Sequence, residues 1–350
     1  MGKVCTFRKG YGISKENLSS DGTPCVLYGE LYTTYKTAIA KRIKSKTSLD
    51  PTTLFHSKKN DVIIPCSGET AEDIATSVCI PYDDILLGGD LTVIRGDLDG
   101  AFLSNQINSV RKYDIARIAQ GKSIVHLQAD ELKKISIAYP TIEEQQKISG
   151  FIDKIDERIE VQNKIISDLK VLKKELCCKM LSIITEYKTL GELCSITTGK
   201  LDANANTPDG LYPFFTCGKD TLSIDNYAFD GEAILIAGNG DIGHTKYYCG
   251  KFNAYQRTYV LMNFKADAQF IKMGIDTYLP QKISEETQGG AMPYIKLSTL
   301  TSLKIPFATE EKQLSIRNHY NAIVKKVENE TKILDLLLQQ KSYFLNAMFI

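Results

Sequence analysis

The tightest constraint on this 350-residue chain is that it spells one long helix twice. Displacing the sequence by 168 positions lays 309–349 over 141–181 without a gap. Thr141, Glu143 and Gln145 then meet Thr309, Glu311 and Gln313, and Lys173 meets Lys341. A repeat of a whole helix at this distance implies two copies of one larger unit. In the first copy Ile148, Ile155, Ile159, Ile166, Leu169, Leu176 and Met180 recur at threes, fours and sevens, with charge between them. The second copy answers with Ile316, Ile323, Val327, Leu334, Leu337, Phe344 and Met348. Such a heptad-like seam wants a partner helix. At 1.5 Å per residue each rod runs roughly 57 Å, longer than a small core can cover, so two copies in one chain are expected to pair with each other. Thr141 with Glu144 predicts a capping box; Lys312 leaves Thr309 only the cap.

The repeat extends beyond the rods. Gln120, Gly121, Leu132 and Ile137 return as Gln288, Gly289, Leu300 and Ile305. Each copy predicts a glycine-containing loop, a short helix, and an apolar strand entering the long helix. Gly2-Lys3-Val4-Cys5 resembles Gly191-Glu192-Leu193-Cys194, now at a spacing of 189, so the first globular unit is the longer by 21 residues. The expected fold is α+β. Mixed α/β units over 1–139 and 186–306 alternate with helical spacers over 140–185 and 307–350. The two rods run antiparallel, and the halves are related by a pseudo-twofold.

No run of about 18 apolar residues exists, which excludes a membrane-spanning helix. Met1 leads into polar and basic residues rather than an apolar signal core. The nine cysteines are scattered without a CxxC pair, and four histidines form no cluster. That pattern fits a reduced, cytoplasmic chain without structural zinc.

Net charge is only +1, but its distribution is uneven. Residues 1–60 hold eleven Lys+Arg against four acids; residues 61–106 hold one Arg against nine acids. Balance overall can hide one positive face. The stretch Leu27–Thr47 mixes Tyr32, Thr33, Thr34 and Tyr35 with Lys36, Lys41, Arg42, Lys44 and Lys46. Cations, hydroxyls and rings together suit phosphate and base-edge contacts; a solvated basic loop would read the same way. Lys122 joins this set in the first unit.

In the second unit Gly238-x-Gly240-x-x-Gly243 follows the apolar run Ala233–Ala237. A dinucleotide fingerprint there would need a helix next. His244 to Gly250 are instead strand formers ending in glycine, so a strand, a glycine-rich turn and further strands are expected. Asn239, His244, Lys246, Gln256 and Arg257 are the candidates to face a ligand. No Asn-Pro-Pro-Tyr or Asp-Pro-Pro-Tyr box of a base methyltransferase occurs, and no Walker lysine motif, which points to a binding subunit rather than an enzyme.

With the duplicated helix starts TIEEQQKI and TEEKQLSI, and the strings LYGELYTTY, ILIAGNGDIG and FNAYQRTYVL, the chain resembles the specificity subunit of type I restriction–modification enzymes. The resemblance implies two target-recognition domains, each reading half of a split double-stranded DNA sequence. It implies helices that set the gap and dock two methyltransferase subunits, joined by restriction and motor subunits. S-adenosylmethionine, ATP and Mg would then belong to those partners, leaving this chain no cofactor, no metal and no catalytic residue. Two other classes stand beside it: a coiled-coil adaptor that binds no DNA, and a nucleotide-cofactor enzyme built on the glycine fingerprint.

Overall fold

The structure is a computed structural model that describes residues 1–121, 124–286 and 294–349. Contacts divide the chain into two compact units, Met1–Lys164 with Lys332–Ile350, and Ile165–Thr331. Each unit therefore takes one globular region together with one end of each rod.

The first unit contains strands β1 (Cys5–Lys9), β2 (Thr23–Val26), β3 (Ser45–Thr47), β4 (Asp61–Pro65), β5 (Val78–Ile80), β6 (Leu86–Leu87) and β7 (Leu91–Gly96). Helix α1 (Gly100–Asn108) comes next, then the rod α2 (Ile142–Ser182). The main sheet has the order β1-β7-β4-β5, antiparallel throughout. The strands β4 and β7 are apolar at successive positions because both their faces are covered. Alternation sends Val62, Ile64 and Ile94 into one core and Ile63, Leu91 and Val93 into another. A charge inside this sheet, Asp61, is fully buried and is met by Arg95 through two bonds of 2.6 Å, the bidentate geometry that a buried carboxylate requires.

The second unit contains β8 (Ser195–Thr198), β9 (Tyr212–Phe215), β10 (Thr221–Ile224), β11 (Phe229–Ala237), β12 (Thr245–Ala254) and β13 (Thr258–Met262), then α3 (Ala268–Glu286) and the rod α4 (Glu310–Met348). Its six-stranded sheet runs β8-β13-β11-β12-β9-β10, antiparallel over the first four strands. Ile234, Ile236 and Leu261 enter one core, Ala233, Leu235 and Val260 another. The side ribbons agree as well. Strand β2 pairs antiparallel with β3 and parallel with β6, and β9 pairs antiparallel with β10 and parallel with β12. The duplication seen in the helices thus extends to the order of the four main strands and the ribbon pairing, although the ribbon joins the main sheet only in the second unit. The glycine-rich segment after β11 is a hairpin turn into β12, with Gly240 and Gly243 at positive φ, as the strand formers after His244 require; the turn leads into no helix.

Within the first unit α2 and α4 run in opposite directions: Phe151 meets Phe344 edge-on at 4.9 Å, and Lys341 Nζ reaches Asp156 Oδ1 at 2.5 Å. Within the second, Cys177, Met180 and Leu181 cluster with Ile316 and Tyr320. Every residue of the two heptad-like seams is buried or half-buried. The seam also holds buried polar groups that a heptad does not reveal, among them Gln145, Ser149 and Asp156. Gln145 accepts the backbone N–H of Asp99 at 2.9 Å and donates to the Pro140 carbonyl at 2.9 Å. This glutamine, and not Thr141, ties down the start of the rod: the Thr141 hydroxyl makes no hydrogen bond among the described residues.

The short helices before the rods are Ala129–Lys134 and Leu297–Thr301, 168 positions apart. The apolar strand expected after each forms only in the second copy, where Lys304–Pro306 pairs with Tyr187–Thr189. Residues 135–140 have no partner strand among the described residues and stay irregular. The repeat markers Gln288 and Gly289 lie outside the described residues.

Candidate nucleic-acid interface

In the first unit the basic stretch is built around Glu30. Its carboxylate accepts the Leu27 N–H at 2.8 Å and the Ser45 hydroxyl at 2.6 Å, closing the segment between them into a loop. Tyr35 turns inward and packs with Val26, Leu31 and Ile63. It is 8% exposed, so it belongs to the core rather than to the contact surface. Thr33 bonds back to the Gly29 carbonyl and Lys36 to the Tyr32 carbonyl. Tyr32 and Thr34 are half-buried. Lys41 is committed elsewhere: its Nζ lies 2.6 Å from Asp153 and 2.9 Å from Glu157 on α2. Burial draws the Lys41 pKa down, yet the two carboxylates outweigh it and hold the ammonium above its ordinary value. Glu157, between Lys154 and Lys41, is held down to about 2. The Tyr82 hydroxyl also donates to the Lys41 carbonyl at 2.6 Å. Arg42, Lys44 and Lys46 are exposed and form no ion pair among the described residues. They are cations of this stretch that no carboxylate engages among the described residues. Lys122 lies outside the described residues.

In the second unit a turn from Tyr255 to Thr258, closed by Thr258 N–H on the Tyr255 carbonyl at 2.8 Å, puts Gln256 and Arg257 at its tip. Gly238 is the pin beneath it. Its N–H donates to the Arg257 carbonyl at 2.9 Å, and its own carbonyl accepts from Ile295 at 2.9 Å. The Tyr259 hydroxyl donates to the Ile295 carbonyl at 2.8 Å. These bonds gather Thr198, Gln256, Arg257, Tyr294 and Lys296 around a cleft of about 380 Å³. Two cations, an amide and a ring 60% exposed at Tyr294 make a surface suited to phosphate and base edges. Gln256 Nε2 donates to Asp202 at 2.9 Å, which orients the amide.

Asn239 and His244 lie on the neighbouring hairpin turn, half-buried and exposed respectively. Lys246 points away toward the ribbon, donating to the Asp220 carbonyl at 3.1 Å with its pKa lowered by burial. Tyr294 and Lys296 were not anticipated. The same mixture of ring and cation that marked Leu27–Thr47 is present in Tyr294-Ile295-Lys296, but three residues are too few to stand out. The first unit repeats the frame: Leu127 N–H donates to the Cys66 carbonyl at 2.9 Å, with exposed His126 and Gln128 beside it. No helix is long and apolar enough to cross a membrane, and no His/Cys/Asp/Glu group is placed to hold a metal, among the described residues.

Comparison with known proteins agrees with this duplicated plan. Over 165 residues, 47% of this chain, it is 38% identical to the type I restriction enzyme EcoDI specificity subunit of Escherichia coli. The match spans 37% of that relative's length. It is 25% identical to the type I restriction enzyme MjaVIII specificity subunit of Methanocaldococcus jannaschii, over 66% of this chain and 67% of the relative. The crystal structure of a type I restriction–modification system S subunit from M. genitalium has the same fold, with a TM-score of 0.67, 19% identity, and 100% and 94% of the two chains covered. A second solved structure, described as bearing on complex assembly and conformational transition of the type I R-M system, gives 0.63 at 15% identity, covering 99% and 95%. The family model described as type I restriction modification DNA specificity domain matches residues 1–171 and again 185–339, and the chain belongs to that family.

Proposed function

We propose that this chain is the DNA-recognition subunit of a type I restriction–modification complex. Each unit reads one part of a split duplex sequence. The observation that carries this reading is the doubled frame: two sheets whose four main strands share one order, each presenting a loop cluster pinned by the same backbone bond, at Cys66 in one and Gly238 in the other. The exposed cations Arg42, Lys44 and Lys46 contact phosphate in one unit; Arg257, Lys296 and Gln256 form the contact set in the other. The continuous helices Ile142–Ser182 and Glu310–Met348 hold the interval between the half-sequences and dock two methyltransferase subunits, and restriction and motor subunits complete the assembly. Catalysis, with S-adenosylmethionine, ATP and Mg, belongs to those partners.

The test is to reconstitute the chain with its methyltransferase and map methylated sites by sequencing. A bipartite target supports the reading. Methyl transfer by the chain alone would remove it, and absence of DNA binding even with partners present would favour a coiled-coil adaptor. Inserting one heptad into each rod adds about 10 Å, or roughly three base pairs at about 3.4 Å each. A widened gap between unchanged half-sequences identifies the helices as the spacer.

A further inference from the structure

The pinned turn of the second unit has a counterpart in the first, and backbone bonds fix the register between them. Gly238 N–H donates to the Arg257 carbonyl at 2.9 Å, and Cys66 N–H to the Asp90 carbonyl at 2.7 Å. Gln256 N–H reaches the Leu201 carbonyl at 2.9 Å, and Gly89 N–H the Ile13 carbonyl at 3.2 Å. Tyr255 N–H reaches the Phe215 carbonyl at 2.9 Å, and Gly88 N–H the Val26 carbonyl at 3.0 Å. Gly88, Gly89 and Asp90 thus stand where Tyr255, Gln256 and Arg257 do. On one flank Lys9 ends β1 opposite Thr92, as Thr198 ends β8 opposite Tyr259. On the other, His126 and Gln128 occupy the places of Tyr294 and Lys296, since Leu127 bonds to Cys66 as Ile295 does to Gly238.

The frame is duplicated while the chemistry at its tip is reversed. A guanidinium can only donate, whereas a carboxylate can only accept. Lys9, Asp90, His126 and Gln128 are all exposed. The Asp90 carboxylate makes no hydrogen bond or ion pair among the described residues. The turn does not need it either. The frame uses only the Asp90 backbone carbonyl, and its φ of 57° would suit glycine or asparagine equally well.

We infer that Asp90 is a base-reading residue of the first unit and that the base it reads is cytosine. The inference deepens the proposed function and rests on it. In the major groove cytosine presents an amino donor with no acceptor on the same base. Adenine sets N7 beside its amino group, and guanine and thymine present acceptors, each of which repels a carboxylate. Asp90 therefore discriminates by rejecting the other bases as well as by bonding one. Lys9 beside it offers the phosphate contact that holds a reading loop in register. The basic stretch from Arg42 to Lys46 then adds affinity without sequence information.

The test uses the chain assembled with its methyltransferase, on duplexes randomised across each half-sequence, with methylated sites read by sequencing. The unaltered complex should select a cytosine at one position about 5- to 150-fold over other bases. Asp90→Gly should abolish that preference and leave every other position as it was. Asp90→Asn should move it to adenine, because an asparagine amide bonds both N6 and N7. Both residues accept the φ of Asp90, so neither variant removes the turn. If Asp90→Gly strengthens methylation of all sequences alike, the carboxylate only repels phosphate and the assignment falls. It falls equally if no position relaxes, or if the one that relaxes holds another base, while a split sequence is still methylated. A complex that reads no split sequence at all would instead remove the proposed function, and this assignment with it.

Discussion

The side-chain oxygen of Gln313 accepts the backbone N–H of Asp267 at 3.0 Å. Its amide nitrogen donates to the Ala308 carbonyl at 2.7 Å. Asp267 in turn caps α3 by accepting the Phe270 N–H at 2.8 Å. The triplet Gln145, Asp99 and Phe102 repeats each bond in the first unit. One buried amide thus joins the start of a rod to the start of the helix that succeeds the sheet.

Truncating either glutamine leaves a partly buried N–H and a carbonyl at the rod's start without partners, at about 1–3 kcal/mol. Gln145→Ala and Gln313→Ala should each lower the urea midpoint without changing the slope. An unchanged midpoint would show that water replaces the amide at no cost.

The basic loop should separate into two kinds of lysine. Neutralising Lys44 and Lys46 should weaken binding to every duplex and flatten the salt dependence by about 0.9 per lost phosphate contact. Lys41→Ala should leave that slope alone, because its ammonium already faces Asp153 and Glu157. Titrations of the assembled complex at several salt concentrations distinguish the two.

At the second unit's turn, Arg257→Ala should relax one half-sequence by about 1–3 kcal/mol per base pair read while the other half stays intact. Uniform weakening on all sequences would make Arg257 a phosphate contact instead.

The rods carry a pH dependence. Burial raises the pKa of Asp156, and Lys341 partly restores it. A carboxyl whose folded pKa lies above its unfolded value favours folding when protonated. That contribution is complete at low pH and fades as pH rises from about 3.8 through the raised value. Lys341→Met removes the compensating cation, so the loss should extend to higher pH. At neutral pH, breaking such a buried pair costs about 3–5 kcal/mol. Melting temperatures at pH 4 and pH 7 should diverge more in the variant than in the unaltered chain; equal divergence would mean that Asp156 is solvated.

The helices and their pairing were legible because their signal is local and periodic: Ile155 and Ile323 repeat a spacing that only a paired rod explains. The turn after Ala237 was legible because the residues from His244 to Gly250 can only be strand. What escaped was non-local. Gln145 and Gln313 align, but nothing in the sequence links them to Asp99 and Asp267, 46 residues away. Lys41 and Arg42 are neighbours of one type; only the fold brings Asp153 to the first and leaves the second without an ion pair among the described residues. Tyr35 carries the same ring as Tyr32, and its burial depends on Val26 and Ile63, which arrive from other strands.

Gly238 has a consequence for how such a surface changes over generations. A Cβ there would come within 2.5 Å of the Arg257 carbonyl and 3.2 Å of the Tyr259 ring, so only glycine lets the turn close. The side chains of residues 256 and 257 stand in solvent, where Gln256 is held only by its surface hydrogen bond to Asp202. Substitutions at the tip therefore cost the fold little while altering what is presented, whereas a single methyl group one layer down would displace the whole display. Under the proposed function, a lineage under pressure to change its target has a short path through the tip residues and none through the residue that supports them.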